Sequence, residues 1–199
     1  RVAELLELVE LPPEFAERYP PELSGGEKQR VNLARALAAE PDLVLCGEVT
    51  SALDVVVGAA VIELLKQLRT RLGLSYLFIS HDISTVSGFS DRIAVLYAGR
   101  VVEEGASAEI LEQPYHPYTR LLLASVPELR LGWLEETVAK RETRRGAGGG
   151  VPLQVGGCPF HTRCPFIIKG TCEQVRPPIW EPQPGHRIAC HLPREKLPA

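Results

Sequence analysis

The pattern of apolar and polar residues predicts that helices and strands alternate along the first half of the chain. Two short apolar runs, DLVLC (42–46) and SYLFIS (75–80), favour buried strands. Helical periodicity before, between and after these runs predicts four helices, at residues 1–11, 24–40, 55–71 and 82–90. Helices that alternate with apolar strands are typical of an α/β fold with a parallel sheet.

A hairpin pattern follows the second apolar run. Residues 92–105, RIAVLYAGRVVEEG, predict two antiparallel strands that turn near Ala98 and Gly99. Two further helical stretches are predicted at about 107–113 and 117–125. We therefore expect the parallel sheet to be accompanied by an antiparallel edge.

The composition divides the chain into three parts. Residues 1–126 carry the α/β pattern, residues 127–157 contain the glycine-rich run of a flexible linker, and residues 158–199 are rich in Cys, Pro and His. The whole chain has 199 residues, 45% of them hydrophobic, and a net charge of −3. This charge argues against a nucleic-acid binder that depends on bulk positive charge. No apolar run approaches the roughly 18 residues that are needed to span a bilayer.

The stretch LSGGEKQR (23–30) contains the first candidate site. Ser24 and Glu27 have the spacing of a capping box at a helix N-terminus. Gly25 and Gly26 have no side chains, so another body could approach the backbone closely. The exposed N–H groups and the positive end of the helix dipole make this a candidate anion site. An ordinary capped helix would show the same residues.

The ends of the two predicted strands contain the second candidate site. Glu48 follows the first strand and His81 follows the second, and the carboxyl ends of parallel strands meet at one edge of a sheet. A carboxylate there can orient or deprotonate a water molecule. A neutral imidazole can donate a hydrogen bond to a phosphate oxygen. Each residue alone would also suit a solvated strand end, but their fixed order favours a site.

Taken together, these segments resemble the ATPases of ABC transporters. LSGGEKQR resembles the signature motif, LVLCGEVTSALD (43–54) the Walker B strand with the D-loop, and FISHD (78–82) the switch-histidine segment. The resemblance covers about residues 1–126 and implies part of a P-loop NTPase-like ABC ATPase core. PYHPYTRLLLASVP (114–127) and the cysteine-rich tail resemble the oligopeptide/dipeptide importer branch of the family.

The resemblance implies roles for individual residues. Glu48 corresponds to the catalytic glutamate and His81 to the switch histidine. The residues that would face a nucleotide held by a second ATPase domain are Ser24, Gly25, Gly26, Glu27, Gln29 and Asp54. The implied cofactors are ATP and Mg²⁺, and closure of the two domains would drive a permease between two access states.

The same resemblance implies the partners and the location. The partners would be a second ABC ATPase domain, in a homodimer or a heterodimer, and integral-membrane permease subunits, with a solute-binding protein acting indirectly. No nucleic acid is expected. The protein would be peripheral, at the cytoplasmic face of the cell membrane. Two alternatives are a catalytically degenerate half that regulates an active partner and a soluble ABC-type ATPase that is not linked to transport.

The sequence departs from the family pattern in two respects. None of its residues form the phosphate-binding motif G-x-x-x-x-G-K-[ST], so we expect the N-terminal half of the nucleotide-binding domain to be absent from this chain. Alone, the chain should therefore bind ATP poorly. Gly47 stands where the family has an aspartate that helps to hold Mg²⁺, and losing such a group commonly costs about 10²–10³ in rate. Gly47 keeps the regulatory alternative open.

The tail contains four cysteines with the spacing C-x₅-C-x₇-C-x₁₇-C, which are Cys158, Cys164, Cys172 and Cys190. Stable disulfides are not expected in a cytosolic chain, and the spacing is not a standard zinc pattern. Some ATPases of the peptide-importer branch carry a [4Fe–4S] cluster in a similar tail, which favours iron–sulfur over zinc. His161, His186 and His191 are alternative ligands. The other interpretation is four reduced thiols that pack a small extension.

Overall fold

A computed structural model describes residues 1–50, 53–126 and 156–197, which form two compact units, Arg1–Phe89 and Ser90–Ala199. The first unit contains α1 (Val2–Leu8), α2 (Gly25–Leu37), β1 (Leu43–Gly47), α3 (Val55–Leu72), β2 (Ser75–Ile79) and α4 (Ile83–Ser87). The second contains β3 (Arg92–Tyr97), β4 (Arg100–Ala106), α5 (Ser107–Glu112), α6 (Pro117–Leu123), β5 (Ile179–Gln183) and β6 (His186–Ala189). Nearly all of the proposed linker, 127–157, lies outside the described residues, and the three-part division of the chain stays a prediction.

The first unit confirms the predicted α/β arrangement. Strands β1 and β2 pair in parallel, with Leu43 opposite Ser75 and Gly47 opposite Ile79. Helix α3 ends at Gly73, whose φ of 70° lies in the left-handed region that glycine adopts at low cost. The helices share a core to which α1, α2 and α3 contribute Leu5, Leu6, Ala34, Leu37, Leu64 and Leu68, and Val9 at the end of α1 joins it.

The prediction of buried strands is wrong for one face of the parallel pair. Val44 and Cys46 are buried in the cluster that contains Val61 and Leu65 of α3. On the opposite face, Leu45 of β1 is 69% exposed. The neighbouring apolar side chains of that face, Leu43, Leu77 and Ile79, are also more than half exposed. Within the described residues of this unit, therefore, the buried side of the strands is the one that faces α3.

The second unit is built on the predicted hairpin. Strands β3 and β4 pair antiparallel, and the turn between them places Ala98 at φ 48° and Gly99 at φ 74°. Strand order in the sheet is β3-β4-β6-β5, so the hairpin is extended by two strands from the tail. The sequence analysis did not predict β5 and β6, although Pro184 and Gly185 mark the turn between them.

A buried side-chain contact links the tail strand β6 to β4. The Nε2 atom of His186 lies 2.8 Å from a carboxylate oxygen of Glu103, and both side chains are fully buried. Glu103 also accepts the backbone N–H groups of Tyr115, at 2.7 Å, and of His116, at 3.1 Å. A buried carboxylate is tolerated when donors of this kind satisfy it.

Candidate functional site

The start of α2 has the predicted capping box. The Ser24 hydroxyl accepts the Glu27 N–H at 3.4 Å, and the Ser24 N–H donates to the Glu27 carboxylate at 2.7 Å. This backbone hydrogen bond is the main reason why the pKa of Glu27 is lowered. Gln29 is half-buried in the first turns of the same helix. The capping is confirmed, whereas the roles of these residues toward a nucleotide stay predictions.

The two glycines after Ser24 pack against the start of α3. A Cβ atom on Gly26 would lie only 2.6 Å from Cγ1 of Val57, whereas one on Gly25 would meet Leu53 at 3.4 Å. Asp54 caps α3, because its carboxylate accepts the Val57 N–H at 2.9 Å. Gly26 thus has an intramolecular reason to lack a side chain, and the N-termini of two helices lie together.

Glu48 and His81 lie side by side at the carboxyl ends of β1 and β2, as predicted. The Nδ1 atom of His81 is 3.6 Å from a carboxylate oxygen of Glu48. Both face a cavity of about 150 Å³, whose other walls are Thr50, Ser80 and Asp82. The Glu48 side chain is 58% exposed and the His81 side chain is 74% exposed, so an incoming phosphate or water could reach both.

The backbone at Glu48 is strained in a way that is common at functional sites. Glu48 has a φ of 48°, which a residue with a side chain rarely adopts. Its N–H donates to the carbonyl of Ile79 at 2.9 Å, which holds the conformation at the end of the strand. A Cβ on the preceding Gly47 would meet nothing within 4 Å, so the space that an aspartate would occupy is open.

Asp82 is a charged cavity residue that the sequence analysis did not single out. Its carboxylate accepts the Ser84 N–H at 2.9 Å and the Thr85 hydroxyl at 2.6 Å, which caps α4. The Thr85 hydrogen bond is the largest cause of its lowered pKa, so the carboxylate is ionised beside His81. An Asp directly before a helix that contains Ser and Thr is an N-cap signal that could have identified it.

Close backbone packing brings two of the four tail cysteines together. The Cys158 N–H donates to the Cys172 carbonyl at 2.8 Å. A Cβ atom on Gly157 would lie 2.6 Å from the same carbonyl oxygen, so glycine is required there. Cys164 packs against the cluster of Cys158, Phe160 and Cys172. All five cysteines of the chain are free thiols, and Cys46 lies in the core of the first unit as expected.

The four tail thiols influence one another electrostatically. The pKa values of Cys164 and of Cys190 are raised to about 11, mainly by burial and in smaller part by charge on neighbouring cysteines. Backbone N–H groups oppose this effect, since that of Phe166 favours the Cys164 thiolate. The Ile168 N–H likewise donates to the Cys172 sulfur at 3.4 Å. Across residues 1–50, 53–126 and 156–197, however, no three His, Cys, Asp or Glu side chains are close enough together to hold one metal ion.

The tail histidines have structural partners. His161 Nδ1 lies 2.7 Å from the Cys158 carbonyl, and His191 Nε2 lies 2.9 Å from the Val175 carbonyl. His186 is paired with Glu103. The contacts of His161 and His191 each involve one ring nitrogen and leave the other nitrogen of the ring available.

A bilayer-spanning helix has to be both long and apolar, and none of the helices in the described part of the chain meets both conditions.

Comparison with known proteins shows which families this chain is similar to. Residues 1–51 match the family described as ABC transporter, and residues 102–172 match the oligopeptide/dipeptide transporter C-terminal region. The oligopeptide transport ATP-binding protein AppF of Bacillus subtilis is 45% identical over 195 residues. Over these stretches the chain is similar to ABC transporter proteins of the oligopeptide/dipeptide type. A Brucella abortus protein assigned as a peptide import ATP-binding protein is also 45% identical over 195 residues.

The match to these ABC transporter ATP-binding proteins covers nearly all of this chain but only part of the relatives' own length. It covers 96% of this chain but 57% of AppF and 55% of the Brucella protein. An inward-facing ABC transporter assigned to the metal-chelate type matches with a TM-score of 0.55 and 28% identity, over 63% of this chain and 48% of its own. An ATP-binding cassette in its ADP conformation matches with a TM-score of 0.53 and 22% identity, over 60% of this chain and 48% of its own. At this identity the match supports the fold alone.

Proposed function

We propose that this chain is part of the ATP-hydrolysing subunit of an ABC importer that takes up peptides. The substrate class is supported by the match of residues 102–172 to the oligopeptide/dipeptide C-terminal region and by the peptide-related names of the relatives. The observation that carries the catalytic part is the 3.6 Å separation of Glu48 and His81 at the open end of the parallel strands. A solvent-accessible carboxylate beside an imidazole can position a water molecule for attack on a phosphate.

The capped start of α2 would contribute to the nucleotide site of a second ATPase domain. Ser24 and Gly25 are exposed, and the first N–H groups of a helix favour a phosphate. Asp54, which caps the adjacent start of α3, would lie at the same surface. In this proposal one domain supplies the phosphate-binding loop, and this chain closes over the nucleotide with Ser24, Gly25 and Gly26.

Bound Mg²⁺ would neutralise charge on the phosphates during transfer. The carboxylate and hydroxyl oxygens of Glu48, Asp82, Thr50 and Ser80 line one cavity, and oxygen donors suit this ion. Gly47 supplies no ligand there, which favours a second candidate function. In that candidate the subunit is a degenerate regulatory half, and hydrolysis occurs at the opposite site of an asymmetric pair.

The proposed partners follow from the importer role. They are a second ABC ATPase domain, integral-membrane permease subunits and, through these, a solute-binding protein. The subunit would be peripheral at the cytoplasmic face of the membrane.

The test uses the full-length protein assembled with its permease in proteoliposomes. The Glu48→Gln variant should still bind ATP but lose peptide-stimulated hydrolysis by about 10²–10⁴-fold, because the base is removed while the shape is kept. Hydrolysis by Glu48→Gln at the parent rate would overturn the catalytic assignment. If peptides do not stimulate the parent while another solute does, the substrate class is wrong.

For the tail we propose that Cys158, Cys164, Cys172 and Cys190 hold a [4Fe–4S] cluster, with a single zinc ion as the alternative. The proposal rests on the donor set, which is four free thiols, two of which are favoured or contacted by backbone N–H groups. In the described residues no three of these ligands lie close enough together to hold one metal ion, so the proposal depends on the thiols and not on a preformed site. When bound, such a cluster would supply one-electron chemistry or would cross-link the tail through its bonds to the cysteine sulfurs.

The metal proposal is tested by anaerobic purification of the full-length protein. We expect iron and acid-labile sulfide together with broad visible absorbance, and a Cys172→Ser variant should lose both. Bound zinc without iron would select the alternative. Protein without either metal, after reconstitution with iron and sulfide and with zinc, would overturn the proposal and leave the ATPase assignment untouched.

A further inference from the structure

Two arginines of the second unit, Arg100 and Arg176, form no hydrogen bond or ion pair with any residue that the structure describes. Two other arginines of this unit are engaged, since Arg187 donates to Glu104 at 2.9 Å and Arg92 donates to the Gly185 carbonyl at 3.3 Å. The Nη1 atom of Arg100 is also shielded from solvent, and the guanidinium cannot lose its charge at neutral pH. An unpaired charge that is partly withdrawn from water favours the arrival of an anion.

Both of these arginines line one cavity of about 300 Å³. The cavity lies where β4 and β6 stop pairing, because their ladder ends at Glu103 and Ile188. Beyond that point the walls include Val102 of β4 and Ala189 at the end of β6. This volume is at the lower end of the range of roughly 300–1,000 Å³ that small-molecule sites occupy. A ligand of this cavity is therefore a small molecule.

The rest of the lining is largely apolar. Val101 and Ile179 are 44% and 58% exposed, and Pro177 is buried beside them in the chain. A single exposed apolar side chain is ordinary on a protein surface. Here, however, the apolar side chains border the same concave surface as the two arginines. A ligand that fits both features has an apolar body as well as a negative charge.

We propose that this cavity binds a small organic carboxylate, with its charged end toward Arg100 and Arg176 and its apolar body against Val101, Pro177 and Ile179. The guanidinium group presents N–H donors in a fork that matches the two oxygens of a carboxylate. Inorganic phosphate would use the arginines alone and would gain nothing from the apolar walls. The site shares no residue with the Glu48 and His81 edge and goes beyond the ATPase function proposed above.

The first test measures which chemical features the cavity selects. The probes are benzoate and benzamide, which have the same size and shape and differ in charge, and inorganic phosphate, which has charge without an apolar body. The full-length protein is held with Mg²⁺ and ADP, so that the nucleotide site is occupied, and binding is measured by calorimetry and by ligand-observed NMR. Benzoate should bind with a Kd of about 1 mM or below. Benzamide and phosphate should each bind at least about 10-fold more weakly.

The second test locates the bound carboxylate by substitution. Arg100→Gln should weaken benzoate binding by roughly 10–100-fold, because a partly desolvated charged donor is lost. Arg176→Gln should weaken it by about 2–5-fold, because this guanidinium is exposed. Arg187→Gln is the matched control, since Arg187 lies on the neighbouring strand and pairs with Glu104 outside the cavity lining. It should bind benzoate like the parent.

Three results would overturn the proposal. The first is a parent protein that does not bind benzoate, or that binds benzamide equally well. The second is benzoate binding that is unchanged in both Arg100→Gln and Arg176→Gln. The third is phosphate binding at least as tight as that of benzoate and lost in Arg100→Gln, which would make this a site for a simple anion. If Arg100→Gln does not fold, the comparison of Arg176→Gln with Arg187→Gln decides, and equal affinities there would refute the site.

Discussion

The Nδ1 atom of His81 lies 3.6 Å from a carboxylate oxygen of Glu48, although 33 positions separate them in the chain. The two residues meet because each follows a strand of one parallel pair. A network of a carboxylate and an imidazole at such an edge can hold a water molecule and sense the phosphate that it attacks.

Replacing His81 by Ala should lower the hydrolysis rate of the assembled full-length transporter by about 10²–10⁴-fold. The imidazole contributes to the positioning network and not to the bulk of nucleotide affinity. Binding of a fluorescent ATP analogue should therefore be nearly unchanged. Equal losses in binding and in rate would instead indicate a structural role for His81.

Gly47→Asp should raise the hydrolysis rate by roughly 10²-fold, since a carboxylate at this position would help to hold Mg²⁺. Space for the side chain is open, because a Cβ there meets nothing within 4 Å. Gly47→Asn is the control, with the same size and no charge. If Gly47→Asp hydrolyses ATP at the parent rate, the parent already holds Mg²⁺ without a carboxylate at this position. The glycine would then not make the site degenerate.

Gly26→Ala should destabilise the protein by about 1–3 kcal/mol, because the new methyl group overlaps Val57. A Cβ atom at position 26 would lie 2.6 Å from Cγ1 of that residue. Gly25→Ala is the matched control, as its Cβ makes an ordinary contact with Leu53 at 3.4 Å. Urea midpoints measure the difference. In a Val57→Ala protein, Gly26→Ala should destabilise less than it does in the parent, because the clash is relieved. An equal destabilisation in the parent and in Val57→Ala would refute the steric explanation.

His116 should make the protein sensitive to mild acid. Burial lowers the pKa of His116 from 6.5 to about 4, and its Nδ1 accepts the Tyr118 N–H at 3.1 Å, so the folded state requires the neutral ring. The unfolded chain takes up the proton first, and stability should fall as the pH drops from about 6.5 toward 4. By pH 5 the loss is on the order of 2 kcal/mol.

The variant His116→Asn isolates that effect, because asparagine can also cap α6 but does not titrate. The free energy of unfolding, measured at pH 7 and pH 5, should change less in the variant than in the parent. The same pH dependence in both proteins would assign the acid sensitivity to groups other than His116.

Local patterns predicted most of the elements of the first unit and of the hairpin. The capping residues Ser24 and Asp54 and the turn residues Gly73 and Gly99 mark their ends through short-range chemistry, which does not depend on distant contacts. The tail strands β5 and β6 were missed, because they are short and are formed by pairing with a hairpin about 80 residues earlier.

The sequence by itself determined which residues could carry chemistry: the order of Ser24, Glu48, Asp54 and His81, the glycine at position 47 and the four tail cysteines. Only the tertiary structure decided what those residues touch. It set Gly26 against Val57 and buried Glu103 with His186. The physical reason is that capping and periodicity act over a few residues, whereas burial and charge compensation depend on which distant segments pack together.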